Sequence, residues 1–226
     1  MADRAILGGV KSARATTRSS RGRLGRPPSA DSLETRQRIL DLARQEFAVH
    51  GYEATTNRRI AARVGITTAA LYHYFPSKSD LYVAVATAAE ARVLSRFEAV
   101  TASGESLVES LQQVLDESHA MNSEDPSLAL ILAAFRIDER RHPEVREAMR
   151  GQERLMQGFF RNLVDRAIDA GEIDRADRTS VLALVTVLLV GLSDAMSDDL
   201  RSHRIGVEAA KSLLGGRIPL GETLDR

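Results

Sequence analysis

From Leu33 onward, apolar residues recur at every third or fourth position, which is the spacing of helices with one buried face. In the first of these segments, Leu40, Ala43 and Phe47 lie on one face. Alternation of apolar and polar residues, which is typical of strands, does not persist anywhere, and aromatic residues are only 4% of the chain. The pattern therefore predicts an all-α protein.

Residues that favour helix ends divide this pattern into elements. Gly51 and Gly65 are expected to end the first two helices, because glycine adopts the positive φ common just after a helix. Thr67 and Ser77 precede the third and fourth helices and have hydroxyls that can cap free backbone amides, as either Thr55 or Thr56 can for the second. The first four helices are predicted near 32–50, 57–64, 68–75 and 78–101. Five more are predicted near 105–121, 127–139, 143–170, 177–198 and 205–214.

The second and third predicted helices are short and are separated by the three residues Gly65, Ile66 and Thr67. Two helices joined by such a turn form a helix-turn-helix, placed here at about 56–75. The third helix starts with small residues, which let its backbone enter a major groove, and Tyr72, His73 and Tyr74 follow with polar tips. The arrangement indicates a protein that binds duplex DNA.

From Thr35 to about Val85 the chain resembles the DNA-binding domain of the TetR (tetracycline-repressor-like) family. The resemblance rests on many fixed spacings, among them Ile39-Leu40 with Ala43 and Phe47, Gly51-Tyr52, Thr55-Thr56, Ile60-Ala61, Gly65-Ile66, Leu71-Tyr72 with Phe75, Ser77-Lys78 and Leu81. It covers roughly a quarter of the chain. The remainder resembles the family only as a helical C-terminal domain of suitable length.

The resemblance implies which residues contact DNA. Thr56 and Arg58 would do so from the positioning helix, and Lys78 would contact phosphate at the start of the fourth helix. The recognition helix would contribute Thr67, Thr68, Ala69, Tyr72, His73 and Tyr74. Ala69-Ala70 and Tyr74 depart from the residues frequent in the family. The operator sequence therefore does not follow from relatives.

The charge is distributed unevenly although the formal net charge is zero. Residues 1–30 carry seven basic side chains and one acidic one, so the rest of the chain has an acidic excess. This segment lacks an apolar period and is expected to be a disordered basic arm. Arg21, Arg23 and Arg26 resemble arms that enter a minor groove, although they could equally supply only non-specific charge. We expect a DNA-binding domain over 31–80 and a regulatory and dimerisation domain over 81–226.

Several other functions are not expected. The chain has no cysteine, and its five histidines lack metal-ligand spacing, so neither a metal site nor a cofactor is predicted. No catalytic constellation stands out, so the protein is not expected to be an enzyme. The longest apolar run, 181–192, is shorter than the ~20 residues that span a bilayer. Without a targeting segment either, we expect a cytoplasmic protein with no membrane partner.

The C-terminal part suggests a dimer and a ligand site. Helices near 180–196 and 205–214 are the candidate homodimer interface, because a nearly all-apolar helix must be covered on most sides. The alternative is that the first of these helices is the centre of a monomer. The resemblance implies a small-molecule effector pocket between long helices, with Met121, Phe135, Met149, Met156, Phe159 and Phe160 as its candidate wall. Each of these residues could equally be plain core.

Together these expectations describe a repressor that a small-molecule ligand releases from a palindromic operator. Two helix-turn-helix units of a dimer would bind half-sites in successive major grooves, and ligand binding would favour a geometry that no longer fits. An activator or a co-repressed regulator of the same fold remains an alternative. A non-specific DNA-organising protein is a further one.

Overall fold

The computed structural model describes residues 30–103, 106–150 and 155–216, which form helices and turns with no β-strand. The prediction of an all-α fold is confirmed. A short 3₁₀ turn at Arg175–Asp177 precedes the ninth helix. The helices are α1 (Ala30–Ala54), α2 (Asn57–Val64), α3 (Thr68–Tyr74), α4 (Lys78–Thr101), α5 (Leu107–Glu124), α6 (Ser127–Arg141), α7 (Pro143–Ala148), α8 (Leu155–Asp169), α9 (Arg178–Asp198) and α10 (Leu200–Leu214).

The N-terminal helices end where their local signals predict. Helix α2 and helix α4 have the predicted bounds, and α1 is interrupted by Gly51, whose φ of 74° and ψ of 172° are not helical. Ser77 caps α4, because its hydroxyl accepts from the Asp80 amide at 3.0 Å. The Asp80 carboxylate accepts from the Ser77 hydroxyl at 2.7 Å. Local capping thus determines these boundaries.

Two predicted helix boundaries in the C-terminal part are wrong. The helix expected over 143–170 is not continuous, because α7 ends at Ala148 and Met149 and Arg150 form a turn. Helix α10 begins at Leu200 rather than near 205. It starts early because the Asp199 carboxylate accepts from the Ser202 amide at 2.6 Å and caps the first turn.

The core begins in the N-terminal helices and continues without a break into the C-terminal ones. Helix α1 packs against both α4 and α6. Phe47 of α1 is fully buried, with its ring centroid 4.7 Å from that of Tyr82 on α4 and 6.3 Å from that of Tyr52. The helix-turn-helix therefore rests directly on the helices behind it.

Helix α10 is anchored to α5 by a buried histidine. His203 has Nε2 3.1 Å from Asn122 Nδ2, and its Nδ1 is 3.3 Å from Nδ1 of His119. Burial, with the neighbouring His119, lowers the pKa of His203. The neutral ring is therefore the form that fits this contact, and it fixes one side of α10 against the rest of the molecule.

Candidate nucleic-acid interface

The turn between α2 and α3 is a compact helix-capping motif. Gly65 has φ 81° and ψ 32°, and its amide donates to Ala62 O at 3.2 Å and Ala61 O at 3.0 Å. The Ile66 amide also donates to Ala61 O, at 3.0 Å. These bonds form a Schellman motif, which requires a left-handed residue at Gly65. The predicted three-residue turn therefore has the geometry of a helix-turn-helix.

Threonine hydroxyls cap both short helices. Thr56 Oγ1 accepts from the Arg59 amide at 3.2 Å, and Thr67 Oγ1 accepts from the Ala70 amide at 3.1 Å. Both threonines are exposed. Thr55 has a different role, since it is fully buried and donates to Gly51 O at 2.8 Å. Thr56 is therefore the cap that the sequence left undecided between two neighbours.

Helix α3 has one face in the core and another at the surface. Leu71 is fully buried, and Phe75 just after the helix is nearly so. The outward positions carry side chains predicted from sequence to meet DNA: Ala69, Tyr72 and His73 are exposed, while Thr68 and Tyr74 are half-buried. Helix α3 is thus anchored in the core by its inner face, while its outer face is accessible.

Helix α2 is held on α1 by a buried carboxylate. Glu46 lies 2.5 Å from Nε of Arg59 and 2.5 Å from a terminal nitrogen of Arg63. Burial raises the pKa of Glu46, but the hydrogen bond from Arg63 and the charges of both arginines bring it below the usual value. This cluster of Glu46, Arg59 and Arg63 was not predicted from the sequence, although a glutamate beside the buried Phe47 was a usable signal.

The ion pairs of Glu46 distinguish the adjacent residues Arg58 and Arg59 on α2. Arg59 is bound to Glu46 and also lies 2.6 Å from His50 Nε2, so its guanidinium is engaged within the protein. Arg58 is exposed and has no ion pair with any residue that the structure describes. Arg58 is therefore the arginine on α2 that is free to bind an external anion.

Lys78 contacts the end of α1 as well as the start of α4. Its Nζ donates to Thr55 O at 3.1 Å and Glu53 O at 3.2 Å, and it lies 4.2 Å from the centroid of the Tyr52 ring. Burial lowers the pKa of Lys78. The ammonium group has three N–H donors, of which these bonds use two. One donor remains for a further acceptor.

Helix α6 contacts the N-terminal helices at both of its ends. Near its start, Arg44 of α1 donates to Asp125 Oδ2 at 2.8 Å. Near its end, the Tyr82 hydroxyl donates to Asp138 Oδ2 at 2.8 Å, and the Tyr52 ring lies 4.9 Å from that of His142. Burial and the hydrogen bond to Asp138 raise the pKa of Tyr82, so this donor stays protonated. These contacts connect α1 and α4, the helices on either side of the helix-turn-helix, to α6.

The six residues predicted to line a ligand pocket do not all lie together. Phe135 has its centroid 5.3 Å from Tyr82, near the start of α4, whereas Phe159 and Phe160 are 6.1 Å and 6.5 Å from Phe97. Fifteen residues separate Tyr82 from Phe97, which is about 22 Å along a helix. Met121 is buried with Phe135 and Phe160, whereas Met149, Met156 and Phe159 are half-buried against the same core.

The described ranges show neither a metal-binding cluster nor a membrane-spanning helix. No group of three or more histidine, aspartate and glutamate residues there has the arrangement of a metal site. None of the described helices combines the length and apolar character needed to cross a bilayer. Arg21, Arg23 and Arg26 lie outside the described residues.

The chain is similar to known bacterial regulatory proteins. Residues 39–85 match the model of a family described as bacterial regulatory proteins, tetR family. The repressor AcnR of Corynebacterium efficiens is 38% identical over 85 residues, which are 38% of this chain and 43% of AcnR. The regulator UidR of Escherichia coli is 24% identical over 188 residues, covering 82% of this chain and 94% of UidR.

A solved structure extends the likeness in fold beyond the matched N-terminal segment. FadR of Bacillus subtilis, determined in complex with stearoyl-CoA, aligns with a TM-score of 0.62 and 20% identity. The alignment covers 78% of this chain and 97% of FadR. The match to AcnR, in contrast, spans less than half the length of that protein. Similarity in sequence is thus concentrated in the helix-turn-helix, and similarity in fold includes the helices behind it.

Proposed function

Because residues 39–85 match the tetR family of bacterial regulatory proteins, we propose that the chain is a transcriptional repressor that a small molecule releases from a palindromic DNA operator. The observation that carries the proposal is the exposed face of α3, held over the buried Leu71 in a capped helix-turn-helix. Such a helix is suited to the major groove, because its outer side chains can contact base edges while its inner face stays packed.

The DNA contacts that we propose follow from exposure and from free donors. On α3, Ala69 and Tyr72 are exposed, and the hydroxyl of the capping Thr67 lies at the surface. Arg58 supplies an unpaired charge for phosphate. The proposed set is Thr56, Arg58, Thr67, Thr68, Ala69, Tyr72, His73, Tyr74 and Lys78. Insertion of the arginine arm into a minor groove also remains a proposal.

We propose that a second copy of the chain covers α9 and α10. Of eleven large apolar side chains exposed in the described part of the chain, six lie on these two helices, so the exposure is concentrated there. Leu184, Val187 and Val190 on α9 are 53%, 67% and 42% exposed. An apolar face of this kind is typical of an interface between subunits. A homodimer would present two copies of α3 to two half-sites.

Effector control is the remaining part of the proposed function. FadR, with a similar fold, binds stearoyl-CoA, which supports a small-molecule site in the helices behind the helix-turn-helix. We propose that such a site reaches α3 through α6, because Arg44 and Tyr82 contact residues at opposite ends of that helix. We propose a DNA-binding part over 31–80 and a regulatory part over 81–226, with the boundary in the first turn of α4. A cytoplasmic location is part of the same proposal.

The proposed function is tested by asking which DNA the full-length protein retains. Fragments of the source genome that bind the purified protein are sequenced, and the binding of the recovered site is compared with that of random duplex. A repressor should prefer its operator by about 10³-fold or more at physiological salt. Equal affinity for both would contradict the proposal and would indicate a DNA-organising protein. The genes beside the recovered site then suggest which effectors to test for release.

A salt titration separates the two roles that the structure allows for Lys78. Lys78→Ala should weaken binding to every duplex and make the plot of log affinity against log salt shallower by about one unit, because one phosphate contact is lost. It should also lower thermal stability, since two carbonyls lose their donor. Arg58→Ala is the matched variant, with the same change of slope and unchanged stability. A lowered stability with an unchanged slope would show that Lys78 only joins α1 to α4.

A further inference from the structure

The surface that we assign to a second copy of the chain carries two opposite charges beside its apolar residues. On α10, Arg204 and Glu208 are one helical turn apart, and Ile205 between them is 59% exposed. Neither charged group forms an ion pair with any residue in the described part of the chain. Both line a shallow groove on α10, together with Ile205, Ala209 and Ser212.

The arrangement of these charges is self-complementary. In an interface with two-fold symmetry, if one residue contacts a second residue of the partner, the second contacts the first in return. For two antiparallel helices related in this way, facing residues are equally far from the axis. An axis that passes at Gly206 therefore brings Arg204 of each chain toward Glu208 of the other.

Gly206 lies on the side of α10 that faces α9. A Cβ atom at Gly206 would lie 2.9 Å from a methyl carbon of Leu192, so a larger residue there would require the Leu192 side chain to move. Leu192 is itself buried against Val207. Arg204 and Glu208 are each two residues from Gly206, about 160° around the helix, so they lie on the outer side of α10, where a partner can reach them.

We propose that Arg204 and Glu208 form two reciprocal ion pairs across an antiparallel contact between α10 helices, and that these pairs select a second copy of this chain as the partner. The inference rests on the proposed homodimer and goes beyond it by assigning its register and its selectivity. Opposite charges at fixed positions reject partners that place a like charge there.

The test uses charge reversal in the full-length protein without DNA. Arg204→Glu alone and Glu208→Arg alone should each raise the dimer dissociation constant by about tenfold or more, because like charges then face each other twice. The doubly reversed chain, R204E/E208R, should dimerise like the wild type. Arg141→Glu is the matched control, since this arginine is exposed on α6 without an ion partner in the described ranges, and it should leave the dimer unchanged. Fluorescence-detected sedimentation from nanomolar to micromolar protein measures the constants.

Mixing the two single variants gives a readout that does not depend on how tight the dimer is. After subunit exchange, R204E with E208R should form heterodimers in more than the statistical half of the population, because only the heterodimer restores both ion pairs. A statistical mixture would overturn the inference while leaving the homodimer in place. A monomeric wild-type protein would overturn the inference and the proposed dimer together. If charge reversal disturbs folding, R204Q, E208Q and the double variant are measured in its place. Their effects on the dimer dissociation constant should be non-additive, and additive effects would contradict the inference.

Discussion

Ala69→Asp is expected to reduce operator affinity by about a hundredfold or more while leaving the fold intact. Ala69 is exposed at the second position of α3, on the surface that we assign to the major groove. A carboxylate there faces the negative charge of the duplex, and like charges brought together at an interface cost several kcal/mol. Because tenfold in affinity corresponds to about 1.4 kcal/mol, the loss exceeds two decades. Each dimer carries the change twice.

The same substitution is not expected to unfold the helix. Negative charge in the first turn of a helix interacts favourably with the helix dipole, so circular dichroism and thermal stability should match the wild type or improve slightly. Ala91→Asp is the matched control, since Ala91 is exposed on α4 and the change in net charge is identical. Affinity is measured by fluorescence anisotropy on labelled operator. Binding of the Ala69 variant within threefold of wild type would show that α3 does not enter the groove.

The helix-turn-helix could be predicted from sequence because its boundaries depend on local chemistry. Thr56, Thr67 and Ser77 each cap a helix through a hydroxyl that accepts a hydrogen bond from the amide three residues ahead. Gly65 takes the left-handed conformation that ends α2. Each signal acts within about four residues, so it can be read without knowledge of the tertiary structure. The bounds of α2 and α4 follow directly.

The boundaries that sequence reasoning missed have weaker local signals. Apolar spacing continues through Val145, Met149 and Met156, so the pattern suggested a continuous helix although the chain turns at Met149. A periodic pattern of apolar residues indicates which face is buried. The same spacing can continue on both sides of a break between two helices, so the pattern does not reveal the break. The start of α10 was missed for a different reason. Asp199 is the cap of α10, and no glycine or proline stands beside it in the sequence to mark the boundary.

Contacts between distant parts of the chain could not be predicted from one sequence. Arg44 and Asp125 are 81 residues apart, and Tyr82 and Asp138 are 56 apart. Whether such groups meet depends on how α1, α4 and α6 cross, and the crossing is set by side-chain packing over whole helices. The candidate DNA surface could thus be predicted from sequence, whereas the polar contacts of α1 and α4 with residues at the two ends of α6 could not.

Phe47→Ala is expected to have the largest effect on stability, a loss of about 3–5 kcal/mol in the free energy of unfolding. Phe47 is fully buried, and its ring lies between α1 and α4, with Tyr82 and Tyr52 as aromatic neighbours. Removing the ring leaves a cavity at the contact that seats the helix-turn-helix on the helices behind it. Val49→Ala is the matched control on the same helix. Val49 is 72% exposed, so its truncation should change stability by no more than about 0.5 kcal/mol.

Urea denaturation at one fixed protein concentration measures both variants, because the stability of a dimer depends on concentration. The Phe47 variant should unfold at lower urea with an unchanged m-value, since the surface exposed on unfolding is nearly the same. Operator binding should weaken as well, because Tyr52 packs on this ring and also lies under the ammonium group of Lys78. A loss of less than about 1.5 kcal/mol would show that neighbouring side chains collapse into the space. The junction between α1 and α4 would then be too plastic to hold the DNA-binding helices in one fixed orientation.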